Sequence, residues 1–238
     1  MDYTESIFRL QSEFSDLPHS PKTTKMTPPT KTKSPPAGAE RAQRADARRN
    51  REAILEAARE CFAREGLECG IDEIAREAGV GVGTVYRHFP NKDDLVAALV
   101  HDRFARLAER AEEALGEDDP WEAFCELMRW SARLQAQDRA LSEYLSSTPA
   151  LGQHEAVQTG LAERTEKLIK KAQRAGAMRK DIVIGDVPTM ICGLAAATSG
   201  HPESMTVLNW ERFLEIILDG MRAAPGTRKL PRPRASLR

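Results

Sequence analysis

The chain has 238 residues, of which 41% are hydrophobic, 5% aromatic and 30% charged. That balance supports a sizeable core and favours a helix-rich protein of one large or two small domains. The longest apolar run, Met190–Ala197, falls well short of the roughly 20 residues of a membrane span, so no membrane partner is expected. Residues 1–30 lack a basic stretch followed by an apolar one, so no secretory signal is expected either. The formal net charge of −1 hides an asymmetry. Residues 17–51 carry nine Lys/Arg against two acids, residues 222–238 carry six Lys/Arg and no acid, and residues 52–221 are net −11. Basic ends on an acidic body imply partners that the whole-chain charge conceals.

Residues 1–45 read as a disordered basic tail. Ser, Thr, Lys and Pro dominate 18–37, and such a segment buries too little apolar surface to offset its ordering entropy. Met26 is an alternative first residue, which mass spectrometry of the native N-terminus distinguishes. From Asp46 the chain turns periodic. Ile54, Leu55, Ala58, Cys61 and Phe62 share one helical face, and Gly66 is the natural stop. Ile71, Ile74, Ala75 and Ala78 mark a second, short helix, with Asp72 and Glu73 in the first turn where the dipole favours acids. Gly79 ends it. A third short helix covers Val82–Phe89 and closes at Pro90. Asn91 offers the N-cap of a fourth, which carries Leu95, Val96, Leu99, Val100, Phe104 and Leu107. Residues 46–110 thus predict one domain.

A second domain is predicted over 111–222. After the polar break Gly116–Pro120, helical apolar spacing recurs over Trp121–Leu134, Arg139–Ser146, Ala156–Arg174, Val187–Thr198 and Val207–Met221. Residues 223–238 read as a second disordered basic tail. No β-alternation appears, so the fold class is all-α with about nine helices. Cys61, Cys69, Cys125 and Cys192 show no C-x-x-C spacing and no His at ligand spacing. Buried thiols in a reducing cytoplasm are expected, with no disulfide framework, no metal site and no cofactor.

Two short helices joined at Gly79 carry the functional signal. Ala75 is small where helices must cross closely, Gly79 permits a left-handed turn, and Val80 and Val85 pack the second helix back. This is a helix-turn-helix pattern, whose second helix can enter a DNA major groove. The string Gly79-Val-Gly-Val-Gly-Thr-Val-Tyr-Arg-His-Phe-Pro-Asn-Lys-Asp-Asp-Leu95 closely resembles the recognition segment of the tetracycline-repressor (TetR) family of bacterial transcription regulators, over roughly Arg48–Phe104. The resemblance implies a three-helix DNA-binding domain, a divergent helical ligand-binding and dimerisation domain, a homodimer and a double-stranded operator. It places Thr84, Tyr86, His88 and Lys92 at DNA-contacting positions and Val82 and Gly83 where base edges are approached.

Those residues also suit the chemistry. Thr84, Tyr86 and His88 offer hydrogen-bonding groups to phosphate oxygens, and the Tyr86 ring suits a thymine methyl. Lys92 brings its charge to a helix N-terminus. Arg87 is either a direct reader of guanine or a phosphate contact. Arg44 and Arg48, in the basic run that opens the first helix, read as an arm onto phosphates or an adjacent minor groove, or as solubilising charge. Cys69-Gly70-Ile71 stands where the family often places Thr, Ser or Pro, so no side-chain oxygen caps the second helix there.

In the second domain, Trp121, Phe124, Met128, Trp130, Leu134, Tyr144 and Met190 are candidates to line a pocket for an unknown small apolar or amphipathic effector, or to form plain core. Ile191, Leu194, Ala195, Trp210, Leu214, Ile217 and Leu218 are candidates for a dimer interface built from the last two helices. An enzyme is not expected: G-x-G-x-x-G fails at Thr84 and Tyr86, and no G-x-S-x-G or H-E-x-x-H occurs. The expected function is a ligand-released repressor, acting in the bacterial cytoplasm at the nucleoid. The alternative is an effector-independent architectural DNA binder.

Overall fold

The computed structural model describes residues 37–198, 210–226 and 228–231. Among these it contains ten α-helices and no strand: α1 (Ala37–Glu65), α2 (Ile71–Glu77), α3 (Val82–His88), α4 (Lys92–Gly116), α5 (Pro120–Gln137), α6 (Arg139–Ser147), α7 (Pro149–Gln158), α8 (Leu161–Arg174), α9 (Asp186–Thr198) and α10 (Trp210–Met221). A single 3-10 turn, Gly66–Glu68, follows α1. Val207 and the rest of 199–209 lie outside the described residues, as do residues 1–36 and 232–238 of the two tails.

The first helix begins earlier than its apolar periodicity announces. The Ala- and Arg-rich stretch from Ala37 is strongly helix-forming, so α1 starts well before Asp46. It stops at Gly66, whose φ of +74° suits glycine. Asn91 caps α4 as expected, its Oδ1 accepting from the Asp94 N–H at 2.8 Å. Asp119 caps α5 likewise, accepting from the N–H groups of Trp121 and Glu122 at 2.9 and 3.1 Å, with Pro120 at the first helical position.

Two apolar cores follow, and α4 belongs to both. Its first half supplies Leu95, Val96, Leu99 and Val100 to a core with Ile54, Ala58 and Phe62 of α1, Ile74 and Ala75 of α2, and Val85 of α3. Its last turns supply Ala111 and Ala114 to a second core with Trp121, Phe124 and Met128 of α5, Leu168 and Ile169 of α8, and Leu214 and Leu218 of α10. The expected boundary at 110/111 therefore falls inside a continuous helix. Moreover α6, expected in the second domain, packs Ala140 and Leu141 into the first core.

Further corrections concern breaks and ends. The helix expected over Ala156–Arg174 is cut at Gly160, φ +73°, into α7 and α8. The C-terminal segment, expected to be disordered, is held as far as Leu230 where described. The Ala223 N–H donates to the Ala177 carbonyl at 2.9 Å, the Arg179 guanidinium to the Arg228 carbonyl at 2.7 Å, and the Leu230 N–H to Asp181 Oδ2 at 2.8 Å. Cys61 and Cys69, expected as separate thiols, are joined by a disulfide with their Cα atoms 6.1 Å apart. The 3-10 turn between them folds Cys69 back over α1, a proximity that a search for C-x-x-C spacing misses. Cys125 is a free buried thiol, whereas Cys192 is free and exposed.

Candidate nucleic-acid interface

Helices α2 and α3 form the expected helix-turn-helix. Ile74, Ala75 and Val85 are buried where the helices meet. Gly79 takes φ +66° in the turn, and the Val80 N–H then reaches back to the Ala75 carbonyl at 3.0 Å. A side chain at 79 would meet nothing within 4 Å, so the turn's demand for glycine is conformational rather than steric.

Helix α3 divides cleanly by face. Val85 and Phe89 are buried and Val82 is half-buried, at i, i+3 and i+7. Gly83, Tyr86 and Arg87 fall at i, i+3 and i+4 and are exposed, Tyr86 at 50%. A tyrosine ring left open beside an arginine, on a helix whose other face packs against the core, is available to a partner. Thr84 and His88 are half-buried at the edges of this stripe. Lys92 is half-buried at the start of α4, its Nζ 5.9 Å from the Phe62 ring centroid.

The basic run on α1 is partly paired. Arg48 lies 3.7 Å from Glu52 and Arg49 pairs with Asp46. Arg51 stacks over the Phe89 ring at 5.4 Å, tying α1 to the end of α3. Arg44 is exposed.

The second core distributes the candidate effector residues. Trp121, Phe124 and Met128 are buried packing, with Met190 set against them. Trp130 is half-buried beneath the Arg106 guanidinium at 5.9 Å and lines a cleft of about 400 Å³ with Glu109, Glu126 and Arg133. Leu134 is half-buried, and Tyr144 packs against the first core instead. Of the candidate dimer residues, Leu194, Leu214 and Leu218 are buried in the chain's own core, while Ile191, Trp210 and Ile217 pack only partly against it. The side chain of Ala195 lies outside the described residues. Ile216, one of the residues that make this helix apolar on several faces, is the large apolar side chain that α10 leaves exposed, at 56%.

Sequence reasoning also missed Arg103. This guanidinium of α4 is only 8% exposed and donates to the side chains of Gln135 and Ser142. Burial disfavours its charged form, and the neighbouring Asp138 carboxylate opposes that. A lone charge inside an apolar helical stripe was the available signal.

A helix-turn-helix with its second helix exposed, set on a larger helical body, defines a DNA-binding transcriptional regulator. Family profiles agree: "Bacterial regulatory proteins, tetR family" matches residues 54–99, and "Transcriptional regulator SbtR-like, C-terminal domain" matches 119–223. A TetR transcription regulatory protein from Mycobacterium vanbaalenii superposes with a TM-score of 0.57 at 36% identity, over 76% of this chain and 99% of that one. A TetR regulator from Streptomyces coelicolor does so at 0.56 and 32%, over 73% and 99%. The fatty acid metabolism regulator protein of Bacillus subtilis is 37% identical over 65 residues, 27% of this chain and 34% of that protein, so the match spans about a third of that relative's length. The chain belongs to the tetR family of bacterial transcriptional regulators.

Proposed function

We propose that this regulator is a homodimeric repressor that binds a two-fold operator through α3 and is released by a small amphipathic molecule bound in its helical body. The exposed stripe of Gly83, Tyr86 and Arg87 on an otherwise seated helix carries this reading. Gly83 lets the backbone approach base edges, Arg87 reads a base, the Tyr86 ring meets a thymine methyl beside its phosphate contact, and Thr84, His88 and Lys92 hold phosphates. Arg44 and Arg48 add charge from α1. Val82 contributes apolar contact at the start of the same helix.

The second copy docks on α9 and α10, where Ile216 is exposed and Ile191, Trp210 and Ile217 are only half-covered. The body's surface supports this effector class. The cleft beside Trp130 combines an aromatic wall with both signs of charge, which suits a molecule with an apolar part and a polar end. The relative from Bacillus subtilis matches over only 65 residues, so no effector is carried over from it. Ligand binding at α5 reaches the head through α4, shared by both cores, by shifting a two-state equilibrium.

The test is selection of DNA fragments from a random pool by the full chain, followed by a compound screen for release. Enrichment of a palindrome and release by one compound class support the reading. Retention of no fragment rejects DNA binding, and a bound complex indifferent to every compound rejects the ligand-released repressor. A chain that sediments as a monomer at micromolar concentration rejects the dimer.

A further inference from the structure

We propose that Cys61 and Cys69 are a reversible oxidation site that sets the DNA affinity of the reading head, a step that rests on the DNA-binding reading above. The two residues bracket the entrance to the helix-turn-helix. Cys61 is on the penultimate turn of α1 and Cys69 immediately precedes Gly70, the N-cap residue of α2. The Ile74 N–H donates to the Gly70 carbonyl at 3.2 Å, so the position of Cys69 is passed directly into the first turn of α2. Helix α3 packs on α2 through Ile74, Ala75 and Val85. Reduction replaces a covalent bond by a non-bonded contact, so the sulfurs must part and the start of α2 must follow.

The surroundings suit thiol chemistry. Both cysteines are buried, yet what covers them is thin. The intervening 3-10 turn has no buried residue, and the Arg64 side chain is 49% exposed. Local opening of such a short, half-exposed turn admits a small oxidant without unfolding the head. Arg64 Nη2 lies 3.6 Å from Cys61 Sγ, which places a polar, half-exposed side chain directly over that sulfur. Glu65, Glu73 and Glu77 in turn hold Arg64 in place.

The oxidant class is a hydroperoxide. The Cys61 thiolate attacks its terminal oxygen; an S–O bond forms, the O–O bond breaks, and the departing alkoxide or hydroxide takes the proton released by the thiol. Cys69 sulfur then attacks Cys61 sulfur; the S–S bond forms, the S–O bond breaks, and water leaves with the Cys69 proton. Two thiols are oxidised by two electrons, and one hydroperoxide is reduced to an alcohol (or water) plus water.

The experiment compares the full chain, reduced with a thiol reductant and then treated with hydrogen peroxide, on a DNA fragment it has selected. Peroxide is expected to remove two of the four titratable thiols and to yield a peptide pair linked 61 to 69. The reduced form is expected to bind the fragment several-fold more weakly, since the disulfide form holds α2 and α3 assembled. Cys61→Ala and Cys69→Ala, made separately so that a folding failure in one leaves the other, are each expected to abolish the redox difference. Thiols that stay free under peroxide overturn the proposal, as does a linked pair with unchanged affinity. A reduced chain that takes up one zinc ion and thereby resists peroxide also overturns it. In that case Cys61, Cys69, Glu65 and Glu73, whose ligand atoms lie within 4.8 Å of one another, are a metal site instead. Absence of DNA selection by either form sinks the DNA-binding reading too, whereas pairing without an affinity change sinks only this one.

Discussion

The Arg103 guanidinium donates to the Ser142 hydroxyl at 3.0 Å, joining α4 to α6 in a buried contact. It also reaches the Gln135 side-chain oxygen near the end of α5. The contact lies between the part of α4 that packs in the head core and the part that packs in the body core, so it braces the helix common to both. Arg103→Met keeps length and apolar packing but leaves Gln135 and Ser142 without their shared donor. The expected cost is about 2 kcal/mol. For a chain of this size that lowers the thermal midpoint by roughly 4–8 °C. Calorimetry reads it, and an unchanged midpoint would show that the contact holds nothing.

Gly83 separates the roles of stability and DNA contact. It lies inside α3 at negative φ, and a Cβ there would meet nothing within 4 Å. Gly83→Ala is therefore expected to stabilise the chain by about 0.5–1 kcal/mol. The same methyl group stands on the exposed stripe, where it holds the backbone away from base edges. The variant should melt higher and bind its selected DNA more weakly. Equal affinity would remove Gly83 from the interface.

Tyr86 and Lys92 separate two kinds of DNA contact. Half of Tyr86 is open to solvent, so Tyr86→Ala should leave the melting curve in place while weakening DNA binding by about 1–3 kcal/mol. Lys92→Ala should weaken binding across sequences. It should also reduce the slope of log affinity against log salt by roughly 0.9, the share of one phosphate contact. A slope that stays fixed means that Lys92 serves the Phe62 ring rather than DNA.

Much of the head was legible because its signals are local. Apolar spacing, Gly66, Gly79 and Asn91 mark helix ends by their own backbone chemistry, and the structure keeps those ends. The ownership of helices was not legible. Tyr144 and Leu141 have the spacing of any amphipathic helix, and which core they join is decided by tertiary packing. Leu214 and Ile216 show the same gap. Both are apolar on α10, but one is 1% exposed and the other 56%, a difference of helical phase that an apolar run on several faces conceals. The disulfide and the anchoring of the C-terminal segment depend on contacts between distant or turned segments, which periodicity does not record.

That anchoring yields a prediction with a defined pH dependence. The Asp181 carboxylate is held well below the usual carboxylate range, first by its hydrogen bond from Arg179 and then by the Leu230 N–H. Arg179 itself donates onward to the Arg228 carbonyl. A carboxyl group with a lowered folded-state value stabilises the anchored form fully above its unfolded value, near 3.9. That contribution is lost as pH falls through the folded value. The segment around Leu230 should therefore stay docked at neutral and mildly acidic pH and release only in strong acid. Asp181→Asn removes the charge and should loosen the segment at neutral and mildly acidic pH, where the parent carboxylate is ionised. Trypsin at neutral pH reads this at Arg228 and Lys229, which the variant should yield faster than the parent chain while cleavage within α8 is unchanged. Equal rates at those two sites would mean that the Asp181 contact does not hold the segment in place.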